Sequence, residues 1–146
     1  MASGSTHVFR VSLKPKLYRD IEIDSGASLY DLADAIVQAF DFDFDHAFGF
    51  YSKLTGRYAQ SPIRYELFAD MEAASSDTRS VKRTKVAQAF PAVGTKMLFL
   101  FDYGDEWHFK VELIRLGERI PKSQYPRILA TTGKAPPQYP DMDEDE

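Results

Sequence analysis

Asp102, Asp105 and Glu106 crowd into a single five-residue stretch, with His108 just beyond it and His46 far upstream. Carboxylate oxygens combined with an imidazole are donors that a divalent cation accepts. A metal held by His46, Asp102 and Asp105 would activate a water or clamp a phosphate, the chemistry of a hydrolase or nuclease. The same residues also suit ordinary turn chemistry. In that reading Asp102 bonds the backbone amides that follow it, while Asp105 and Glu106 are solvated. The turn reading carries more weight, because the chain has only three histidines, His7, His46 and His108. His46 follows the alternating run Asp41-Phe42-Asp43-Phe44-Asp45. It reads either as a ligand or proton shuttle, or as a histidine bonded to backbone at the mouth of a strand.

Aromatic residues flank the acids. Phe101, Tyr103, Trp107 and Phe109 would suit stacking on a ring ligand. Strand alternation assigns Trp107 and Phe109 to the core instead, which leaves Tyr103, in the turn, as the better surface contact. Arg79, Lys82, Arg83 and Lys85 form a local basic cluster. It would touch phosphate or an acidic partner, but a solvated helix face is the simpler reading. The glycines make no phosphate loop and no dinucleotide fingerprint. With no cysteine, thiolate metal sites, disulfides and cysteine nucleophiles are excluded.

The elements that must position these residues follow from periodicity. Residues 97–101 are an unbroken apolar run, as in a strand buried on both faces. Residues 103–106 turn the chain, and Trp107, Phe109, Val111 and Leu113 then alternate with polar neighbours. This central hairpin is expected in the middle of the sheet. Residues 7–13 and 17–23 predict an N-terminal hairpin around Pro15. Ser28, with Asp31 three residues on, predicts a helix N-cap, and Leu29, Leu32, Ala33, Ile36, Val37 and Phe40 share one face of the helix that follows. Residues 47–52 and 63–68 read as further strands, 70–80 as a mobile insertion, and 81–90 as a short helix. The prolines of 121–140 predict an extended arm without regular structure, pinned by Ile128, Leu129, Tyr125 and Tyr139. The tail 141–146 reads as acidic and disordered.

These elements add up to an α+β fold: a mixed, largely antiparallel sheet of about five or six strands under one main amphipathic helix, with a β-grasp-like start. At 146 residues the expectation is a single domain. A net charge of −4 argues against a protein that coats nucleic acid or an anionic membrane. The chain has neither a secretion signal at its start nor an apolar run long enough to span a bilayer, so a soluble, cytoplasmic protein is expected.

The chain resembles the plasmid pRiA4b ORF-3-like proteins, small α+β proteins of bacteria, archaea, plasmids and transposable elements. The resemblance rests on the first strand, on Leu29-Tyr30-Asp31-Leu32 to Ala39-Phe40, on the acids, His and aromatics of 43–50, on Phe101-Asp102-Tyr103-Gly104-Asp105-Glu106-Trp107, and on Gly133-Lys134-Ala135-Pro136-Pro137-Gln138-Tyr139-Pro140. It implies a fold more than a function, with a link to mobile-element or DNA-associated processes. One departure stands out. Where many members carry a His two residues after the Trp, this chain has Phe109, and His108 lies one place earlier, on the opposite strand face.

Together these readings favour a non-enzymatic binding or adaptor module with a protein partner and no cofactor. Its surface would comprise His46, Asp102, Tyr103, Asp105, Glu106 and Tyr139. The alternative is a metal-dependent hydrolase or nuclease-like enzyme using His46, Asp102 and Asp105.

Overall fold

The computed structural model describes residues 5–67 and 78–138. The N-terminal hairpin forms as its alternation predicts. Strands β1 (Ser5–Lys14) and β2 (Leu17–Asp24) pair antiparallel, and Phe9, Val11, Ile21 and Ile23 are all buried. Helix α1 (Leu29–Ala39) starts at a complete capping box. Ser28 Oγ accepts the Asp31 N–H at 3.0 Å, and Asp31 Oδ2 accepts the Ser28 N–H at 3.2 Å. Its apolar stripe, Leu29, Leu32, Ala33, Ile36 and Val37, is wholly buried. The chain leaves the helix through Asp41 in the left-handed region, at φ 60°.

Strands β3 (Phe48–Tyr51), β4 (Arg64–Glu66) and β5 (Arg79–Ser80), the single-turn helix α2 (Val86–Ala89), and strands β6 (Lys96–Phe101), β7 (Trp107–Glu118) and β8 (Arg127–Thr132) follow, with a 3₁₀ turn at Tyr58–Gln60 between β3 and β4. All eight strands form one sheet in the order β5-β4-β3-β6-β7-β1-β2-β8. Every pairing is antiparallel except β4 with β5, so the sheet is mixed, and the central hairpin β6–β7 does lie in its middle.

The expectation of five or six strands is too low, and the two strands it misses are the two edges. β5 is two residues long and shows no periodicity. β8 lies between Pro126 and Pro136, in the stretch expected to lack regular structure. Its six residues contain no proline, and β-branched Ile128, Thr131 and Thr132 favour an extended chain. Ile128 and Leu129 do not pin it, for they are 52% and 38% exposed. Polar groups hold it instead. The buried Arg19 donates to Thr132 O at 3.0 Å and to Ala39 O, at the end of α1, at 3.1 Å, while Arg127 pairs with Glu22 at 2.8 Å. The expected helix over 81–90 shrinks to four residues. Of the expected insertion, residues 70–77 lie outside the described residues, as do Tyr139 and the acidic tail.

The two sheet faces differ. Phe9, Phe48, Phe50, Phe99, Phe101 and Phe109 meet α1 in the main core. The opposite face carries a row of alternating charge across four neighbouring strands, Lys96, Glu112, Arg10 and Asp20. Arg10 binds both Asp20 oxygens at 2.9 and 3.0 Å. Opposite charges at cross-strand positions let this face stand in solvent without losing its register. Towards β3 the same face becomes apolar, with Tyr51, Leu98 and Leu100 buried beneath Leu54, Tyr58 and Tyr103. No helix among the described residues is long and apolar enough to cross a membrane.

Candidate functional site

The turn between β6 and β7 is built by Asp102. Its backbone is left-handed at φ 66°, and its N–H donates to Ala47 O at 2.8 Å. Its Oδ1 accepts the N–H groups of Gly104 at 3.0 Å and Asp105 at 3.3 Å, and Glu106 N–H donates to its carbonyl at 2.6 Å. This is the turn chemistry that a short acid supplies. It occupies only one carboxylate oxygen. The other, Oδ2, lies 3.4 Å from His46 Nε2, and Asp102 is only 6% exposed. His46 also stands 3.5 Å from Asp45 Oδ1, with its ring edge-on to Phe101.

The run that presents His46 is organised by its aromatics. Phe42 packs edge-on against Trp107, and Phe44 against Tyr30, while Asp43, Asp45 and His46 stay on the surface. The C-terminal arm closes on this run through Gln138. Its Oε1 accepts the Asp43 N–H at 2.6 Å, and its Nε2 donates to Asp43 O at 3.1 Å and Asp45 Oδ1 at 3.3 Å. Three segments remote in sequence therefore meet at one rim: 43–46, Asp102 and Gln138. Sequence reasoning selected His46 and Asp102 but not Asp45 or Gln138. Both belong to runs the sequence marks out, the acid–aromatic repeat and the Pro-Pro-Gln-Tyr-Pro arm, yet nothing local shows that the runs touch. Beside them the indole N–H of the half-buried Trp107 is enclosed and has no hydrogen-bond partner among the described residues.

The other expected site residues are dispersed. Asp105 is exposed and contributes its backbone N–H, and Glu106 turns instead to His108 at 3.3 Å. Among the described residues no group of three or more His, Asp or Glu side chains is arranged to hold a metal ion. Tyr103 is not the exposed contact that its place in the turn suggests. It folds onto the opposite sheet face, where its hydroxyl lies 2.7 Å from that of Tyr51, and Tyr51 in turn donates to the Glu66 carboxylate. Burial pushes Tyr51 far above the ordinary phenol range and Tyr103 up to about 12. Gly49 makes room for the pair, since a Cβ there would come within 2.8 Å of both hydroxyls. Tyr139 lies outside the described residues.

A family model for "Plasmid pRiA4b ORF-3-like protein" matches residues 6–141. The chain belongs to that family. No curated protein matches it. Among solved structures it is similar to a protein of unknown function from Methanosarcina mazei Go1, with 21% identity and a TM-score of 0.72 over 92% of this chain and 73% of that one. At that identity the likeness speaks for the fold. In this pRiA4b ORF-3-like protein the residue two places after the Trp, Phe109, is completely buried and packs on Phe40 and Phe99. His108 lies across the sheet, beside Glu106 and the ring of Tyr58. In this chain a phenylalanine thus fills the core position and the histidine stands on the tyrosine face.

Proposed function

We propose that this protein is a non-enzymatic binding module whose working surface is the rim of Asp45, His46, Asp102 and Gln138. One observation carries the reading: the divided carboxylate of Asp102. Its Oδ1 completes the turn, while its Oδ2, buried and not needed for that turn, faces His46. That second oxygen pairs with a side chain that is itself exposed, which opens the pair to a partner. The surroundings set the chemistry of the partner. Asp43 and Asp45 are exposed on the run that forms the rim, so it suits a partner with basic or hydrogen-bond-donating groups and repels a phosphate backbone. A role in mobile-element or DNA-associated processes would therefore run through a protein partner.

Asp102→Asn tests this cleanly, because the amide oxygen still accepts from Gly104 and Asp105 while the charge facing His46 is lost. The expected outcome is an unchanged melting temperature with capture of a partner by the immobilised protein weakened about tenfold, as for loss of a charged hydrogen bond. His46→Ala should act in the same direction, and Lys134→Ala should not. Equal capture by all variants would sink the rim as the working surface.

A metal-dependent hydrolase or nuclease-like enzyme is the second reading. It is favoured by the approach of Asp102 Oδ2 to His46 Nε2, an oxygen and a nitrogen donor 3.4 Å apart. Titration with Zn²⁺, Mn²⁺ and Mg²⁺ separates the two. A stoichiometric metal that raises the melting temperature, and ceases to do so in His46→Ala, would displace the binding-module reading.

A further inference from the structure

The sheet ends at β8, and among the described residues no strand pairs with its outer side. A free strand edge presents a row of backbone donors and acceptors, which most proteins blunt with charge, proline or a covering loop. Here Arg127, at the start of β8, is the only charged residue of the strand, and its guanidinium is committed to Glu22. Beside the edge, on the α1 side, run two hollows of about 360 and 430 Å³. They share Ala35, Gln38 and Pro126, and so form one groove between α1 and the β2–β8 pair. Its floor is apolar, with Ile21, Ile23 and the half-exposed Ile128. Its wall is acidic. Asp31 and Asp34 both lie on it, bonded to the Ser28 N–H and to Gln38, and among the described residues neither makes an ion pair, whereas Asp24 is matched by Arg119.

We propose that β8 and this groove are a docking site for an extended, basic peptide segment that joins the sheet as an additional strand. The free edge supplies main-chain hydrogen bonds. The groove takes the side chains of one face of the added strand, apolar ones over Ile21 and Ile128 and lysine or arginine beside Asp31 and Asp34. The site shares no residue with the Asp102–His46 rim, so a partner could engage both or either.

The test uses the full-length, ¹⁵N-labelled protein and two probe peptides, acetyl-Thr-Val-Thr-Val-Thr-Lys-Thr-Lys-amide, whose valines and lysines share one strand face, and its counterpart with both lysines replaced by glutamate. The lysine peptide is expected to shift the amides of Arg127–Thr132 and of the exposed face of α1, and to slow hydrogen exchange in β8. The glutamate peptide should do neither. Asp31→Asn with Asp34→Asn, both at the surface, should weaken the lysine peptide about fivefold, as for two exposed ion pairs. Shifts centred elsewhere, equal response to both peptides, or no response would overturn the proposal. So would a dimer by light scattering with β8 amides already protected before peptide is added, since the occupant would then be a second copy of this chain.

Discussion

Asp102 and His7 show how far a single residue can be read from its type. An Asp before Tyr-Gly-Asp announces a turn, and half of its carboxylate does build one. That the other half faces His46 follows only from the loop carrying His46 being folded against the end of β6. His7 reads from its place only as the first residue of a strand, yet it is a joint in the core. It is 5% exposed, with Nδ1 2.7 Å from Ser25 Oγ and Nε2 3.1 Å from Phe90 O. A carbonyl only accepts, so Nε2 carries the proton and Nδ1 accepts from the Ser25 hydroxyl, which defines the neutral tautomer. Burial lowers its pKa from the usual histidine value. The sign follows directly. A histidine held neutral in the fold stabilises fully above its unfolded pKa of about 6.5, and that contribution is lost as pH falls from there through the lower folded value. The stability advantage of the wild type over His7→Gln, read from urea midpoints, is therefore expected to shrink between about pH 7.5 and pH 5. A constant gap would show that His7 does not titrate in that window.

At the level of elements, legibility tracks length and local encoding. α1 is legible from its cap and its stripe, because a helix satisfies its hydrogen bonds within itself and its pattern repeats every 3.6 residues. Ser28→Ala removes the acceptor for the Asp31 N–H and is expected to cost about 1 kcal/mol, measurable by denaturant unfolding, with Ser28→Thr restoring most of it. The inner strands are legible for a similar reason, since one buried face imposes alternation. The edge strands are not. β5 is two residues long, and β8 turns half-exposed apolar and polar residues to its surroundings, with Arg19 and Arg127 rather than a hydrophobic face holding it in place. Proline density hid β8, because Pro126 and Pro136 bracket the strand without entering it.

Across the whole molecule, one layer of aromatic residues between α1 and the sheet joins the central hairpin to everything else. Phe109 lies at its centre, wholly buried, with ring centroids 5.0 Å from Phe40, 5.6 Å from Phe99 and 6.2 Å from Phe42. Phe109→Ala is expected to cost roughly 3–5 kcal/mol, lowering the urea midpoint with little change in slope. A loss under 1 kcal/mol would mean that the core can collapse around the gap. The same layer anchors Phe42 and Phe44, so it indirectly positions the run that carries His46 to Asp102. The sequence by itself determined which residues of each hairpin face inward, where α1 begins and which face it buries, and that the 102–106 stretch is a turn. Each of these follows from sterics and burial acting over a few neighbouring residues. Only the tertiary structure decided that Asp102, His46 and Gln138 share one rim, that Tyr103 crosses to Tyr51, and that β8 closes one edge of the sheet beside an acidic groove. Those outcomes depend on the order in which strands pair, and strand order is set by contacts among segments far apart in the chain, which leave no local period to read.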